Sequence, residues 1–145
     1  MRKLIMTMFC LASLFCFCRS AIADGVPKTA DVDHKKPRVV MIRADWCPYC
    51  QQIEPMLKQL QSEYSDKLDF VVLDVTNQKT TAQASQIAKR QGLGRFFAQN
   101  KEQTSTVAIF KGPKLVFQTS GVHDRATYLQ EFERALNKNK EEVHR

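Results

Sequence analysis

Five cysteines occur in the 145-residue chain, and two of them, Cys47 and Cys50, stand three positions apart in the stretch WCPYC (46–50). Two thiols at that spacing can do two kinds of chemistry. They can cycle between dithiol and disulfide, exchanging with another disulfide through a mixed-disulfide intermediate. They can also supply half of a metal site. A single-chain zinc site wants four ligands, and only His34, His123 and His144 remain to complete it, at spacings that suggest no ligand pair. Copper on two thiolates, or a site shared across a dimer, stays open. As a structural staple the pair is poor, because it closes too short a loop to constrain much of the unfolded chain.

The elements that must position these thiols are readable on either side. Residues 38–44, RVVMIRA, form a continuous β-prone run, as expected of a strand buried on both faces. From Pro48 to Tyr64 the apolar residues Ile53, Met56, Leu57, Leu60 and Tyr64 fall on one helical stripe, with Pro55 inside it implying a kink. Pro48 suits a first-turn position, where its missing donor costs nothing. Cys47 then lies where unpaired backbone donors and the helix dipole favour an anion, so its thiolate should be stabilised. Cys50 faces the same side of the first turn, within bonding reach of Cys47. The mechanism that follows has the Cys47 thiolate attacking a substrate disulfide, with Cys50 resolving the mixed disulfide.

Further along, KLDFVVLDV (67–75) reads as a second strand and TNQK as a turn; a helix over 81–93 is closed by Gly92 or Gly94. RFFAQNKEQ reads as a short helical turn and loop, with Phe96 and Phe97 as a core plug. STVAIFK (105–111), the turn KGPK and LVFQT (115–119) form a hairpin, and Asp124 caps a helix over 124–138. Strand, helix, strand, helix, strand, strand, helix argues for an α/β fold: a central mixed sheet of about four strands, flanked by helices on both faces.

The other three cysteines, Cys10, Cys16 and Cys18, lie in a different kind of segment. Arg2 and Lys3 precede an apolar run from Leu4 to Cys18, and small residues at Ala21 and Ala23 follow. That is the layout of a secretory signal peptide over residues 1–23, cleaved after Ala23; the run is too short for a membrane-spanning helix, although retention as an anchor is the alternative. Residues 24–36 read as a flexible leader, 37–140 as the domain and 141–145 as a tail. Cleavage leaves Cys47 and Cys50 as the whole cysteine complement, and takes the net charge from +7 to +4. The remaining basic residues are scattered, without the basic patch and interleaved aromatics of a nucleic-acid reader. The expected location is across the inner membrane, periplasmic if the source is Gram-negative.

RADWCPYCQQIEP (43–55) resembles the active-site segment of the thioredoxin superfamily: strand, small residue, acidic residue, Trp, CxxC, and a Pro five residues after the second Cys. By element order the resemblance covers roughly residues 38–138, without the family's extra N-terminal strand and helix. It implies a thiol–disulfide oxidoreductase with Cys47 as nucleophile and Cys50 as resolving thiol. No organic cofactor is implied, because the electrons reside in the cysteine pair. The implied partners are protein thiol and disulfide substrates, and a membrane redox partner if the protein works as a reductant. Trp46, Pro48 and Tyr49 would line the substrate face around an exposed thiol, and His123 lies on a loop that the family brings near the cysteines. Three positions depart from the family. Met41 stands where it carries a buried carboxylate, Val72 where it usually carries a lysine, and Ser105 where it carries a cis-proline beside the disulfide. Deprotonation of Cys50 would then fall to Asp45, Asp74 or water. The Thr104–Ser105 bond is expected to be trans, since a non-proline cis bond costs ~2.5–4 kcal/mol, and the substrate-binding loop at Thr104 and Ser105 is expected to be reshaped. Ser105 and Met41 also favour the alternative function, a metal-binding or metal-delivery module for copper, zinc or an iron–sulfur cluster on the same cysteines.

Overall fold

The computed structural model describes residues 36–121 and 124–142, with side chains through Asn137. In chain order the elements are β1 (Arg38–Arg43), α1 (Pro48–Tyr64), β2 (Asp69–Asp74), α2 (Gln78–Arg90), α3 (Gly94–Asn100), β3 (Thr106–Lys111), β4 (Lys114–Ser120) and α4 (Arg125–Glu142). The sheet order is β2-β1-β3-β4. β1 pairs with β2 in parallel and with β3 antiparallel, and β3 pairs with β4 antiparallel. This is the mixed four-stranded sheet that the element order suggests.

Alternation along the two central strands divides the core. Val39 and Met41 of β1, with Val107 and Ile109 of β3, meet Ile53, Leu57 and Leu60 of α1 and Tyr128, Phe132 and Ala135 of α4. Val40 and Ile42, with Ala108 and Phe110, meet Ala84 and Ala88 of α2 and Leu93, Phe96 and Phe97 around α3. Both faces of β1 are therefore covered, which is why its middle, residues 39–42, is continuously apolar rather than alternating. Each fully buried Ile or Leu in these layers contributes about 1.5–3 kcal/mol relative to exposure. Phe132 is the pivot of the first layer, edge-on to Tyr64 at 5.4 Å and to Phe70 at 5.9 Å. Arg125 adds a 2.7 Å ion pair to Glu63, joining α4 to α1.

Local chemistry sets the helix ends. Asn77 accepts from the Thr80 N–H at 3.0 Å, and the Thr80 hydroxyl accepts from the Asn77 N–H at 3.1 Å. This reciprocal cap starts α2 at Gln78, three residues before the sequence expectation, which took TNQK as a turn. Gly92, at φ 70°, then ends the helix, and Leu93 N–H returns to the Ala88 carbonyl at 2.7 Å. Asp124 caps α4 as expected, accepting from Ala126 N–H at 2.9 Å. α1 runs unbroken through Pro55.

β2 is an edge strand. Its odd residues turn their N–H groups toward β1, as in Asp69 to Pro37 and Val75 to Arg43, so the backbone groups of Phe70, Val72 and Asp74 point outward. Beside it, a groove of about 410 Å³ opens between β2 and α1, with Met41, Leu57, Phe70 and Val72 in its lining.

Candidate active site

β1 ends at Arg43, and Ala44 starts a tight turn in which Cys47 N–H bonds to the Ala44 carbonyl at 3.1 Å. The turn delivers Cys47 as the N-cap of α1, with extended backbone and Pro48 in the first turn. Its sulfur does what a capping oxygen would do, accepting the Cys50 N–H at 3.2 Å. The Cys50 thiol donates to the same sulfur, with 2.6 Å between the two Sγ atoms. No acidic residue shares the first helical turn, so the helix end offers its positive field to Cys47 without competition.

The two thiols are pushed apart in acidity. Burial raises Cys47, but hydrogen bonds from the Cys50 thiol, the Thr104 hydroxyl and the backbone of Cys50 and Tyr49 outweigh it and hold Cys47 below the ordinary thiol value. Burial raises Cys50 as well, and its bond to Cys47 adds to the effect. One sulfur is prepared as a nucleophile while the other keeps its proton.

The residues from the same motif surround the pair without covering it evenly. Trp46 is 62% exposed and Tyr49 56% exposed. The Trp46 indole N–H is anchored to the Thr76 carbonyl at 3.0 Å, which fixes the ring while leaving its face to solvent. Asp45 N–H bonds the Thr76 hydroxyl at 2.9 Å, so Thr76 is a positioning residue that no spacing in the sequence pointed to. Cys47, expected to be exposed, is only 3% exposed. The capping role explains this: its sulfur is turned inward under the helix end and toward Thr104. A shallow cleft beside Trp46 is lined by Val75, Thr81, Lys101 and Glu102.

Thr104 and Ser105 arrive from the loop before β3. The described residues contain no cis peptide bond, and Ser105 instead takes a left-handed backbone, φ 59°. Its N–H lies 3.2 Å from Cys50 Sγ. The structure therefore brings Cys47, Cys50, Thr104 and Ser105 together, with Trp46, Pro48 and Tyr49 at the rim. His123 lies outside the described residues.

The two carboxylates considered for moving the Cys50 proton are engaged elsewhere. Arg43 binds Asp45 at 2.7 Å, Asp74 at 2.6 Å and Glu54 at 2.5 Å. Burial would raise Asp74, but hydrogen bonds from Thr76 and Arg43 hold it below the usual carboxylate range, which makes it a weak base. Among the described residues no group of three His, Cys, Asp or Glu side chains gathers in a way that could hold a metal ion.

The thioredoxin family model matches residues 28–116, which include both cysteines, the Thr104–Ser105 corner and the first three strands. The chain belongs to the thioredoxin family. Over 57 residues it is 37% identical to "Thioredoxin-like protein HCF164, chloroplastic" of Arabidopsis thaliana, covering 39% of this chain and 22% of that protein. Over 60 residues it is 33% identical to "Thiol:disulfide interchange protein TxlA" of Synechococcus elongatus, covering 41% of this chain and 31% of that protein. A longer match reaches "Thioredoxin M-type, chloroplastic" of Chlamydomonas reinhardtii, 28% identical over 81% of this chain and 74% of that one. The chain thus spans well under half the length of the first two relatives. Among solved structures, Fasciola hepatica thioredoxin aligns at a TM-score of 0.51 and 21% identity, covering 69% of this chain and 81% of that one. That likeness is one of fold: the thioredoxin sheet with helices on both faces.

This thioredoxin domain has an apolar pair where the resemblance implies a carboxylate and a lysine. Met41 and Val72 are register partners on β1 and β2. No helix among the described residues is long and apolar enough to cross a membrane.

Proposed function

We propose that this protein is an exported thiol–disulfide oxidoreductase that exchanges disulfides with protein substrates through Cys47 and Cys50. The observation that carries the reading is the asymmetric pair: two sulfurs 2.6 Å apart at a helix N-terminus, one lowered in pKa and one raised. In the reductive direction, the Cys47 thiolate attacks a substrate disulfide. One substrate sulfur leaves as thiolate and takes a proton, and the other stays joined to Cys47. Cys50 then loses its proton and attacks Cys47; the Cys47–Cys50 disulfide forms and the second substrate thiolate departs. The protein pair is oxidised by two electrons and the substrate is reduced. The oxidative direction is the reverse.

Trp46 and Tyr49 supply the exposed aromatic rim against which a polypeptide substrate packs, and Pro48 fixes the helix start beneath them. Relatives whose names include a thiol:disulfide interchange protein support the same activity. Export is supported by the basic start, apolar run and small-residue site of residues 1–23, and with it a periplasmic location in a Gram-negative source. A membrane redox partner is required if the protein acts as a reductant there.

The deciding experiment equilibrates residues 24–145 in glutathione buffers and measures the potential of the pair, with Cys47→Ser as control. A potential near about −120 mV assigns a disulfide donor, and one near about −270 mV a reductant recharged by an upstream source. Full exchange activity in Cys47→Ser, or a pair that never forms an intrachain disulfide, would falsify the proposal.

A further inference from the structure

Among the described residues, Ser105 is the only non-glycine residue at positive φ. That conformation is disfavoured for any side chain with a Cβ, and Ser105 is buried besides, so no surface freedom accounts for it. What the corner achieves is visible in its contacts. The Ser105 carbonyl accepts from Gly121 N–H at 3.4 Å, which ties the corner to the end of β4. The Ser105 N–H faces Cys50 Sγ at 3.2 Å.

Cys50 needs such donors, and the backbone of Ala44 supplies one beside Ser105. Cys50 must become a thiolate to resolve a mixed disulfide, yet it is fully buried in a cluster with Met41, Ala44, Ile53 and Val107. Met41 accepts no proton, and Asp45 and Asp74 are bound to Arg43. The titratable members of its own cluster are Cys47, the atom it must attack, and Tyr128 on α4.

We infer that the Ser105 amide is a catalytic donor for the resolving step, its N–H stabilising the negative charge that develops on Cys50 Sγ. The inference rests on the exchange reading above. In that step Cys50 gives its proton to water and its sulfur attacks Cys47 Sγ. The Cys47–Cys50 bond forms, the Cys47–substrate bond breaks, and the substrate sulfur carries off the electron pair. A proline at this position has no N–H to give, so the serine changes the chemistry as well as the shape of the corner. A backbone donor aimed at a charge that appears only during reaction acts as an oxyanion hole does for an oxygen.

The test mixes the reduced chain, with Cys10, Cys16 and Cys18 replaced by Ser so that Cys47 and Cys50 are its only thiols, with dithiobis(nitrobenzoate) in a stopped-flow instrument. One thionitrobenzoate leaves when Cys47 attacks the reagent, and a second when Cys50 attacks the resulting mixed disulfide. Replacing the Thr104–Ser105 amide by an ester removes the N–H and keeps the side chain. The ester should slow the second release about tenfold, the loss of one hydrogen bond to a charged group, and leave the first within about twofold. Ser105→Gly and Ser105→Ala keep the N–H and should slow the second release by less than the ester does. An unchanged second phase in the ester overturns the inference, as does a tenfold slowing in Ser105→Gly, which would assign the effect to the side chain or the strain. Where the ester chain does not fold, Ser105→Pro removes the same N–H, and an unchanged second phase there overturns the inference. Absence of the first phase in the chain that keeps Ser105 is a different result, and it would sink the exchange reading itself.

Discussion

Met41 on β1 stands directly opposite Val72 on β2, and both line the open groove beside α1. Neither can accept a proton, so this side of the core gives Cys50 no base. Met41→Asp would restore one, and should speed the second thionitrobenzoate release at pH 7. A buried carboxyl in an apolar layer should also cost about 1–3 kcal/mol in denaturant titrations. Adding Val72→Lys should recover part of that loss, because the two side chains are neighbours across the strands. An unchanged second phase in Met41→Asp would mean that the Cys50 proton leaves by another route.

The two thiols should titrate on opposite sides of the ordinary thiol value of 9.0. Cys47 is held down by the hydrogen bonds it receives, so its alkylation by iodoacetamide should reach half-maximal rate below pH 9. In Cys47→Ser, Cys50 should still react only well above it, toward about 11, because burial is its first cause. The linkage has matching signs. The lowered Cys47 favours the folded reduced protein above the unfolded thiol value, and that gain is lost as pH falls through its folded value. The raised Cys50 favours the neutral folded form below 9.0, and that contribution is lost as pH rises from 9.0 toward about 11. Equal midpoints for the two cysteines would refute the asymmetry.

Arg43 gathers Asp45, Glu54 and Asp74 at the end of the β1–β2 pair, just before the active-site turn. Arg43→Met leaves three carboxylates facing one another and should lower stability by about 1–3 kcal/mol at pH 7. The depressed Asp74 contributes stability above the unfolded value of 3.8, lost as pH falls through its folded value. Acid unfolding of the variant should therefore show a smaller loss over that range than the parent. Chemical denaturation at pH 7 and pH 3 measures both, and a variant as stable as the parent at pH 7 would show the network to be dispensable.

Asn77 and Thr80 close the reciprocal cap of α2. Asn77→Ala should cost about 1 kcal/mol and lower Tm by about 4–8 °C in a domain of this size. Disulfide exchange should persist, since the cap touches neither cysteine. Calorimetry checks the first claim and thionitrobenzoate release the second.

Much of this was readable from residue types in order. Residues 39–42, VVMI, are apolar at every step because β1 is covered on both faces, and Ile53, Leu57 and Leu60 recur at helical spacing because α1 buries one stripe. Cys47, Pro48 and Cys50 lie within one turn, so their relation is local and backbone geometry alone places them at a helix start. Phe96 and Phe97 prove to be core residues, as expected. The start of α2 was misplaced because Asn77 and Thr80 suit a turn as well as a cap, and only the helix that follows decides between them.

What the sequence by itself determined is the placing of a close cysteine pair at a helix start and the elements that carry it, since each depends on contacts a few residues apart. What only the tertiary structure decided depends on residues dozens of positions apart. Ser105 reaches Cys50 across 55 positions, Trp46 is anchored by Thr76 across 30, and Asp45 and Asp74 are joined by Arg43. Cys47 itself turned out to be covered rather than exposed. Such contacts follow from how β1, β2 and β3 align in one sheet, and that register is set by the burial of two whole faces of side chains rather than by any short motif.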